Sequence, residues 1–201
     1  MRYVIMADGQ GTRWNNYNNI PKHLIVINGE TLLQHTVRLI LEREPEAEVI
    51  ITSHDERYEI PGARRHEPQD NHYEIDRFTY ELVEDNTCFL YGDTYYTEEA
   101  MDIILGRSTD QILFFGNRKS IVAVKAADGA LLQKHIDTVK RMYLNGEIST
   151  CKGWQVYQSF EGLEIDGEKI IGEDYVLLDM ETTDFNSPDD YEGYKRGKQD
   201  G

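Results

Sequence analysis

Two cations and two acidic stretches carry the chemistry that can be read from this chain. Near the N-terminus the apolar run Tyr3 to Met6 breaks into Ala7-Asp8-Gly9-Gln10-Gly11-Thr12-Arg13, and nine residues after Arg13 comes Pro21-Lys22. Gly9 and Gly11 lack a Cβ, so their backbone N–H groups can approach phosphate oxygens, while Arg13 and Lys22 supply full charges. A polyphosphate is the ligand such a loop suits. The competing reading is a tight turn after an edge strand, because a lone Gly-x-Gly is weakly specific. Far downstream, the apolar run Cys88 to Tyr91 ends in Gly92-Asp93. A carboxylate directly after a buried parallel strand sits at the carboxyl edge of the sheet, where open α/β sheets place their ligands, so Asp93 is the first candidate metal ligand. A turn aspartate is the alternative, although Thr97 with Glu98 and Glu99 already caps the next helix.

Spacing excludes two familiar phosphate loops. A dinucleotide fingerprint would put a third small residue at position 14, where Trp14 stands. A P-loop needs Gly-Lys followed by Ser or Thr, and Gly11 is followed by Thr12-Arg13. The remaining pattern, Met6 to Arg13 followed by Pro21-Lys22, resembles the signature of the nucleotidyltransferase superfamily, with Asp8 standing where relatives usually carry Ala or Gly. The resemblance implies that Ala7, Asp8, Gly9, Gly11 and Thr12 meet the nucleotide, and that Asp76 and Arg77, entering a later helix, help select it. A surface ion pair is an equal reading of Arg77. Gly92-Asp93 matches a pair whose aspartate binds Mg²⁺ in that superfamily. The stretch Asp184-Phe185-Asn186-Ser187-Pro188-Asp189-Asp190 resembles a C-terminal segment whose leading acids approach the same metal, which makes Asp184 the second ligand and Asn186 a neutral oxygen donor.

Composition bounds the partners. The net charge of −16 over 201 residues argues against nucleic-acid and anionic-membrane partners, which need clustered Lys and Arg. The charge is unevenly spread: residues 161–201 hold thirteen acids and four bases, whereas residues 1–30 are net positive by one. The non-acidic stretch is the proposed anion site, and since charges beyond ~8 Å are screened at physiological salt, local placement outweighs global sign. No apolar run approaches a membrane helix and no signal-peptide pattern opens the chain, so a cytoplasmic protein is expected. Two cysteines without Cys-x-x-Cys and six histidines without paired-ligand spacing suggest neither a disulfide framework nor a zinc site.

The elements that must position these residues follow from periodicity. Leu24 to Ile27 reads as a short strand, Thr31 to Glu44 as a helix with Leu33, Val37, Ile40 and Leu41 on one face, and Glu48 to Thr52 as a core strand. Residues 54–72 give no period and read as loop, with His66 and His72 in a solvated stretch. Helical spacing resumes over Tyr73 to Val83, where Ile75, Phe78 and Leu82 share a face. Strands are expected over Gln111 to Phe115, Ser120 to Lys125 and Tyr175 to Leu178, and helices over Leu131 to Asn145 and from Ser187 on, where Ser187, Pro188 and Asp190 form a helix start. Trp154, Tyr157 and Phe160 fit core or an acceptor pocket.

The expectation is one domain over residues 1–201, a three-layer α/β fold of Rossmann-like nucleotidyltransferase type (the GT-A-like class) with a mainly parallel sheet. The implied reaction moves a nucleoside monophosphate from an NTP, with CTP favoured, to a sugar phosphate or a phosphocholine-like acceptor, releasing pyrophosphate. Mg²⁺ on Asp93 and Asp184 would draw the attacking and leaving oxygens together, Arg13 would meet the pyrophosphate, and Lys22 the α-phosphate. Lys22→Ala is expected to remove turnover and leave the fold intact. Three alternatives stay open: a molybdenum-cofactor-type guanylyltransferase, a glycosyltransferase (disfavoured because Thr94-Tyr95 follow Asp93 where Asp-x-Asp is usual), and a non-catalytic nucleotide-binding module.

Overall fold

The computed structural model describes residues 1–9, 11, 13–178 and 182–199. In chain order the elements are β1 (Arg2–Met6), β2 (Val26–Ile27), β3 (Glu30–Thr31), α1 (Leu32–Arg43), β4 (Glu48–Thr52), β5 (Arg64–His66), β6 (Thr87–Tyr91), β7 (Thr94–Tyr96), α2 (Glu98–Gly106), β8 (Ile112–Gly116), β9 (Ile121–Ala126), α3 (Gly129–Leu144), α4 (Gly153–Phe160), β10 (Tyr175–Leu177), β11 (Thr182–Asp184) and α5 (Pro188–Gln199). Among the described residues, a seven-stranded sheet runs in the order β10-β8-β9-β6-β1-β4-β5. Only β9 runs against its neighbours, pairing antiparallel with both β6 and β8.

Alternation along β1 explains the three layers. Tyr3 and Ile5 face one core with Leu33, Val37 and Ile40 of α1 and Met101 and Ile104 of α2. Val4 and Met6 face the opposite core with Phe89, Phe114, Leu132 and Ile136 of α3, and Val156 and Tyr157 of α4. A strand buried on both faces must be apolar at successive positions, which is why Tyr3 to Met6 shows no polar alternation. Helix α1 is amphipathic because it covers one face only, and Thr31 starts it with a capping box in which Thr31 Oγ1 accepts from Gln34 N–H while Gln34 Oε1 accepts from Thr31 N–H.

Three expectations are corrected. Residues 54–72 include an edge strand, β5, paired parallel to β4, and its Arg-Arg-His sequence carries no apolar period because an edge has little to bury. The segment Tyr73 to Val83 is two 3₁₀ turns, Glu74–Phe78 and Tyr80–Leu82, broken at Thr79 with φ 48°; Ile75, Phe78 and Leu82 are nevertheless buried. Residues Lys22–Leu24 form a 3₁₀ turn, so the expected strand there shrinks to Val26–Ile27.

Candidate active site

The register of the parallel strands gathers the site. Met6 lies level with Thr52 on β4 and Tyr91 on β6, so the segments that follow, Ala7-Asp8-Gly9, Ser53-His54 and Gly92-Asp93, leave the sheet side by side at its carboxyl edge. Gly92 is required by this closeness: its N–H donates to Met6 O at 3.0 Å, and a Cβ there would stand 2.9 Å from the same oxygen. The C-terminal segment closes the edge through β11, antiparallel to β7, with Asp184 level with Thr94 and Phe185 N–H donating to Asp93 O at 2.8 Å. Two carboxylates 91 positions apart thus meet at one place.

Two cavities flank this edge. The loop cleft, about 420 Å³, is lined by Ala7, Asp8, Gly9, Gly11, Lys22 and His54, among others. The carboxylate cavity, about 280 Å³, is lined by Arg13, Arg77, Asp93, Asp184, Asn186 and a set of lysines. Between them lies the ion pair of Lys22 Nζ with Asp93 Oδ2, both residues buried. Burial opposes ionisation of Asp93, but the Lys22 ammonium overcomes it and holds the carboxyl below the usual range. Asp184 is opposite in character. Burial pushes its carboxyl up, and among the described residues its oxygens accept from hydroxyls alone, Oδ1 from Thr94 at 2.9 Å and Oδ2 from Ser120 at 2.6 Å.

The other cations frame the edge. Arg13 Nη2 donates to Asn186 Oδ1 at 2.9 Å, tying the glycine loop to the C-terminal segment. Trp14 reinforces this tie by packing with Phe185 and Tyr191. The Arg77 guanidinium lies against Gly9, where a Cβ would come within 3.1 Å of Nη2, and it also stands 3.7 Å from Glu74. Among the described residues Asp8 is paired with neither Arg13 nor Arg77. Its carboxylate accepts from His54 N–H at 3.0 Å and Asn71 Nδ2 at 2.8 Å and pairs with His54 Nδ1 at 2.8 Å, so three donors from neighbouring loops engage it.

Asp76 does not reach the site. Its carboxylate accepts from Lys140 Nζ at 2.7 Å and from the His72 and Tyr73 amides, capping the Glu74–Phe78 turn in which it lies, and with Lys140 it lines a different cavity. Thr12 lies outside the described residues. Reasoning from sequence missed Lys119, Lys152 and Lys169, which line the carboxylate cavity from three separate loops, and His23, whose Nδ1 lies 2.9 Å from Tyr58 Oη beneath Lys22. No spacing signal links the three lysines, since only the topology brings them together. His23 is neutral: burial, then the Lys22 charge, depress its pKa to about 3.

The donor set fits a hard divalent cation. Among the described residues no group of three or more His, Cys, Asp or Glu side chains is arranged to hold a metal ion by itself, which disfavours an all-protein metal cage. Two carboxylates and the Asn186 amide around one polar cavity suit Mg²⁺, which is usually bound through one or two carboxylates and completed by water and substrate phosphates. Among the described residues no helix is long and apolar enough to cross a membrane.

Comparison with known proteins shows likeness at the level of fold. No family model matches and no curated protein matches. Among solved structures, CTP:phosphocholine cytidylyltransferase from Streptococcus pneumoniae aligns over 98% of this chain and 98% of its own, with 14% identity and a TM-score of 0.58. The 4-diphosphocytidyl-2C-methyl-D-erythritol synthase from Anaerococcus prevotii aligns over 98% and 95% with 15% identity and a TM-score of 0.62. A putative glucose-1-phosphate thymidylyltransferase from Bacillus anthracis aligns over 100% and 96% with 12% identity and a TM-score of 0.63.

Proposed function

From its nucleotidyltransferase fold, we propose that this chain transfers a nucleoside monophosphate from an NTP, CTP first among donors, to a phosphorylated small molecule and releases pyrophosphate. The observation that carries the reading is the buried Lys22–Asp93 pair standing at the sheet edge between two cavities, with Asp184 on the second. One cavity can take the nucleotide while the other takes the acceptor. The pair then lies where the two substrates meet.

In this reaction a phosphate oxygen of the acceptor forms a bond to the α-phosphorus, the bond from that phosphorus to the β-phosphate bridging oxygen breaks, and pyrophosphate leaves with the electron pair. No protein base is needed, because a phosphate monoester is largely dianionic near pH 7. Catalysis is then positioning and charge stabilisation. Lys22, desolvated and oriented by Asp93, supplies charge at the α-phosphate. Arg13, anchored by Asn186, and the amides of the glycine loop hold the β- and γ-phosphates. Asp93 and Asp184, with Asn186, are the residues that would hold Mg²⁺, which when bound supplies Lewis-acid stabilisation of phosphoryl oxygens. Asp8 keeps the glycine loop in place through His54 and Asn71 instead of meeting phosphate.

The test is a pyrophosphate-release screen crossing four NTPs with phosphosugars and phosphoamines in the presence of Mg²⁺. Release that depends on both substrates is expected; hydrolysis independent of any acceptor, or tight NTP binding without release, would overturn the proposal.

A further inference from the structure

The far end of the carboxylate cavity is basic in a chain that is strongly acidic. Lys119, Lys152 and Lys169 line it, from the β8–β9 turn, the start of α4 and the loop before β10. With Arg77 the lining has four cations besides Arg13, which the transferase reading gives to the NTP, against Glu74, Asp93 and Asp184, in a protein of net charge −16. Glu74 is shared, 3.4 Å from Lys152 and 3.7 Å from Arg77. Among the described residues neither Lys119 nor Lys169 has a carboxylate partner; Lys169 Nζ donates to the Lys119 backbone carbonyl at 2.5 Å. Burial, followed by the Lys152 charge, lowers the Lys169 pKa. Such a grouping is repulsive until an anion enters.

Two further features point the same way. Lys152 caps α4, an eight-residue helix that opens with Gly153; the Lys152 amide is taken by Gln155 Oε1 at 3.0 Å, while the first amides of the helix itself carry the positive end of the dipole. Gly153 is required there, since a Cβ would stand 2.5 Å from Tyr91 Oη, so this helix end is pressed against the end of β6. Next to it, Trp154 is buried with its indole N–H unpaired. The indole face is already covered by Lys169 Nζ at 4.6 Å from the ring centroid. An aromatic face occupied by the protein's own ammonium repels a quaternary ammonium ligand instead of receiving it.

We infer that the acceptor is a small molecule with a second anionic group, a carboxylate or a further phosphate, seated on Lys119, Lys152, Lys169 and the start of α4 while its reacting phosphate faces Lys22 and Asp93. This rests on the transferase reading above for the identity of the cavity as the acceptor's, and it narrows the acceptors that the sequence allows by removing the phosphocholine-like class. A cavity of about 280 Å³ sets the scale of the acceptor to a few carbons plus its charged groups.

A matched three-carbon series isolates the second charge. Binding of glycerol phosphate, phosphoglycerate and glycerol bisphosphate, with phosphocholine alongside, to the full chain is measured by calorimetry at fixed ionic strength, without NTP, in wild type and in Lys119→Gln/Lys169→Gln. The wild type is expected to bind phosphoglycerate or glycerol bisphosphate roughly tenfold or more tighter than glycerol phosphate, the size of a charge-assisted contact. The preference should vanish in the double variant, with circular dichroism and the unfolding midpoint reporting that the variant is folded. A carboxylate-selective and a phosphate-selective site differ in which of these two ligands binds tighter. Equal affinity across the series, no binding by either ligand with two anionic groups, tightest binding of phosphocholine, or a preference that survives the double variant would overturn the inference. Because no NTP is present, these outcomes are independent of pyrophosphate release, so failure of the transferase reading is seen separately.

Discussion

Asp93 and Asp184 face one cavity but are built into the fold in opposite ways. Asp93 follows a five-residue strand of the main sheet and has its charge met by a buried ammonium; Asp184 ends a three-residue strand outside that sheet and has its charge met by two hydroxyls. The Lys22 ammonium outweighs burial and holds one carboxyl below its ordinary range, whereas burial raises the other. A carboxylate neutralised by an ion pair belongs to the framework, and removing either partner strands a buried charge. A carboxylate met only by neutral donors keeps its charge unspent and so attracts an incoming cation. The two carboxylates therefore differ in free charge: Asp93 is held against Lys22, whereas no cation pairs with Asp184 among the described residues.

The largest effect should come from breaking the ion pair. Lys22→Gln and Asp93→Asn should each remove transfer activity by orders of magnitude and lower stability by about 3–5 kcal/mol, the cost of an unpaired buried charge. This corrects the expectation that Lys22→Ala spares the fold: Lys22 is only 7% exposed and its loss leaves Asp93 unpaired. In urea unfolding the double variant Lys22→Gln/Asp93→Asn should regain much of that stability and none of the activity. Additive losses would show that the pair is not coupled.

Asp184→Asn should sharpen the contrast. Pyrophosphate release should fall by roughly a hundredfold, on the scale of one lost electrostatic contact in a site, while stability changes by less than ~1 kcal/mol or rises. The raised carboxyl pKa gives the sign: its contribution to stability is full below the ordinary carboxylate pKa and is lost as pH rises through the raised value, so Asp184→Asn should remove that decline. Any Mg²⁺-dependent rise in the unfolding midpoint with NTP should shrink in the same variant. A stability loss as large as that of Asp93→Asn would erase the distinction.

The last effect bears on stability alone and concerns His23, which is buried beside Lys22 in the chain. Its folded pKa of about 3 is below the ordinary 6.5, so its contribution to stability is present above pH 6.5 and is lost as pH falls toward 3. That is up to ~1.4 kcal/mol per pH unit from one proton taken up on unfolding. His23→Leu should flatten acid unfolding in that window; an unchanged slope would mean that another group carries it.

How much of this was legible in the chain depends on which signal each part leaves. Strands β1, β4 and β6 and helices α1 and α3 are readable because a doubly buried strand or a one-sided helix imposes a period on its residues. The polar edge strand β5 and the 3₁₀ turns around Asp76 leave none, and that is where the reading of residues 54–83 failed. The carboxyl edge could be foreseen from Gly92-Asp93, since a glycine before the aspartate marks a close approach. That Asp184 would be hydroxyl-bound, Asp8 engaged by His54 and Asn71, and Asp76 paired with Lys140 depends on partners 46 to 90 positions distant, which no local pattern encodes. The lysines at 119, 152 and 169 are the extreme case, meaningless in sequence and adjacent only in the folded chain.

The most direct test follows the α-phosphate itself. Wild-type protein is given an NTP labelled at the α-phosphorus, Mg²⁺ and a phosphorylated acceptor, with Lys22→Gln as the control. The label should appear in a product joined to the acceptor, one pyrophosphate released per label transferred, and neither should form with the variant. Label that remains in bound NTP, or that leaves as free nucleoside monophosphate regardless of acceptor, would contradict nucleotidyl transfer by this site.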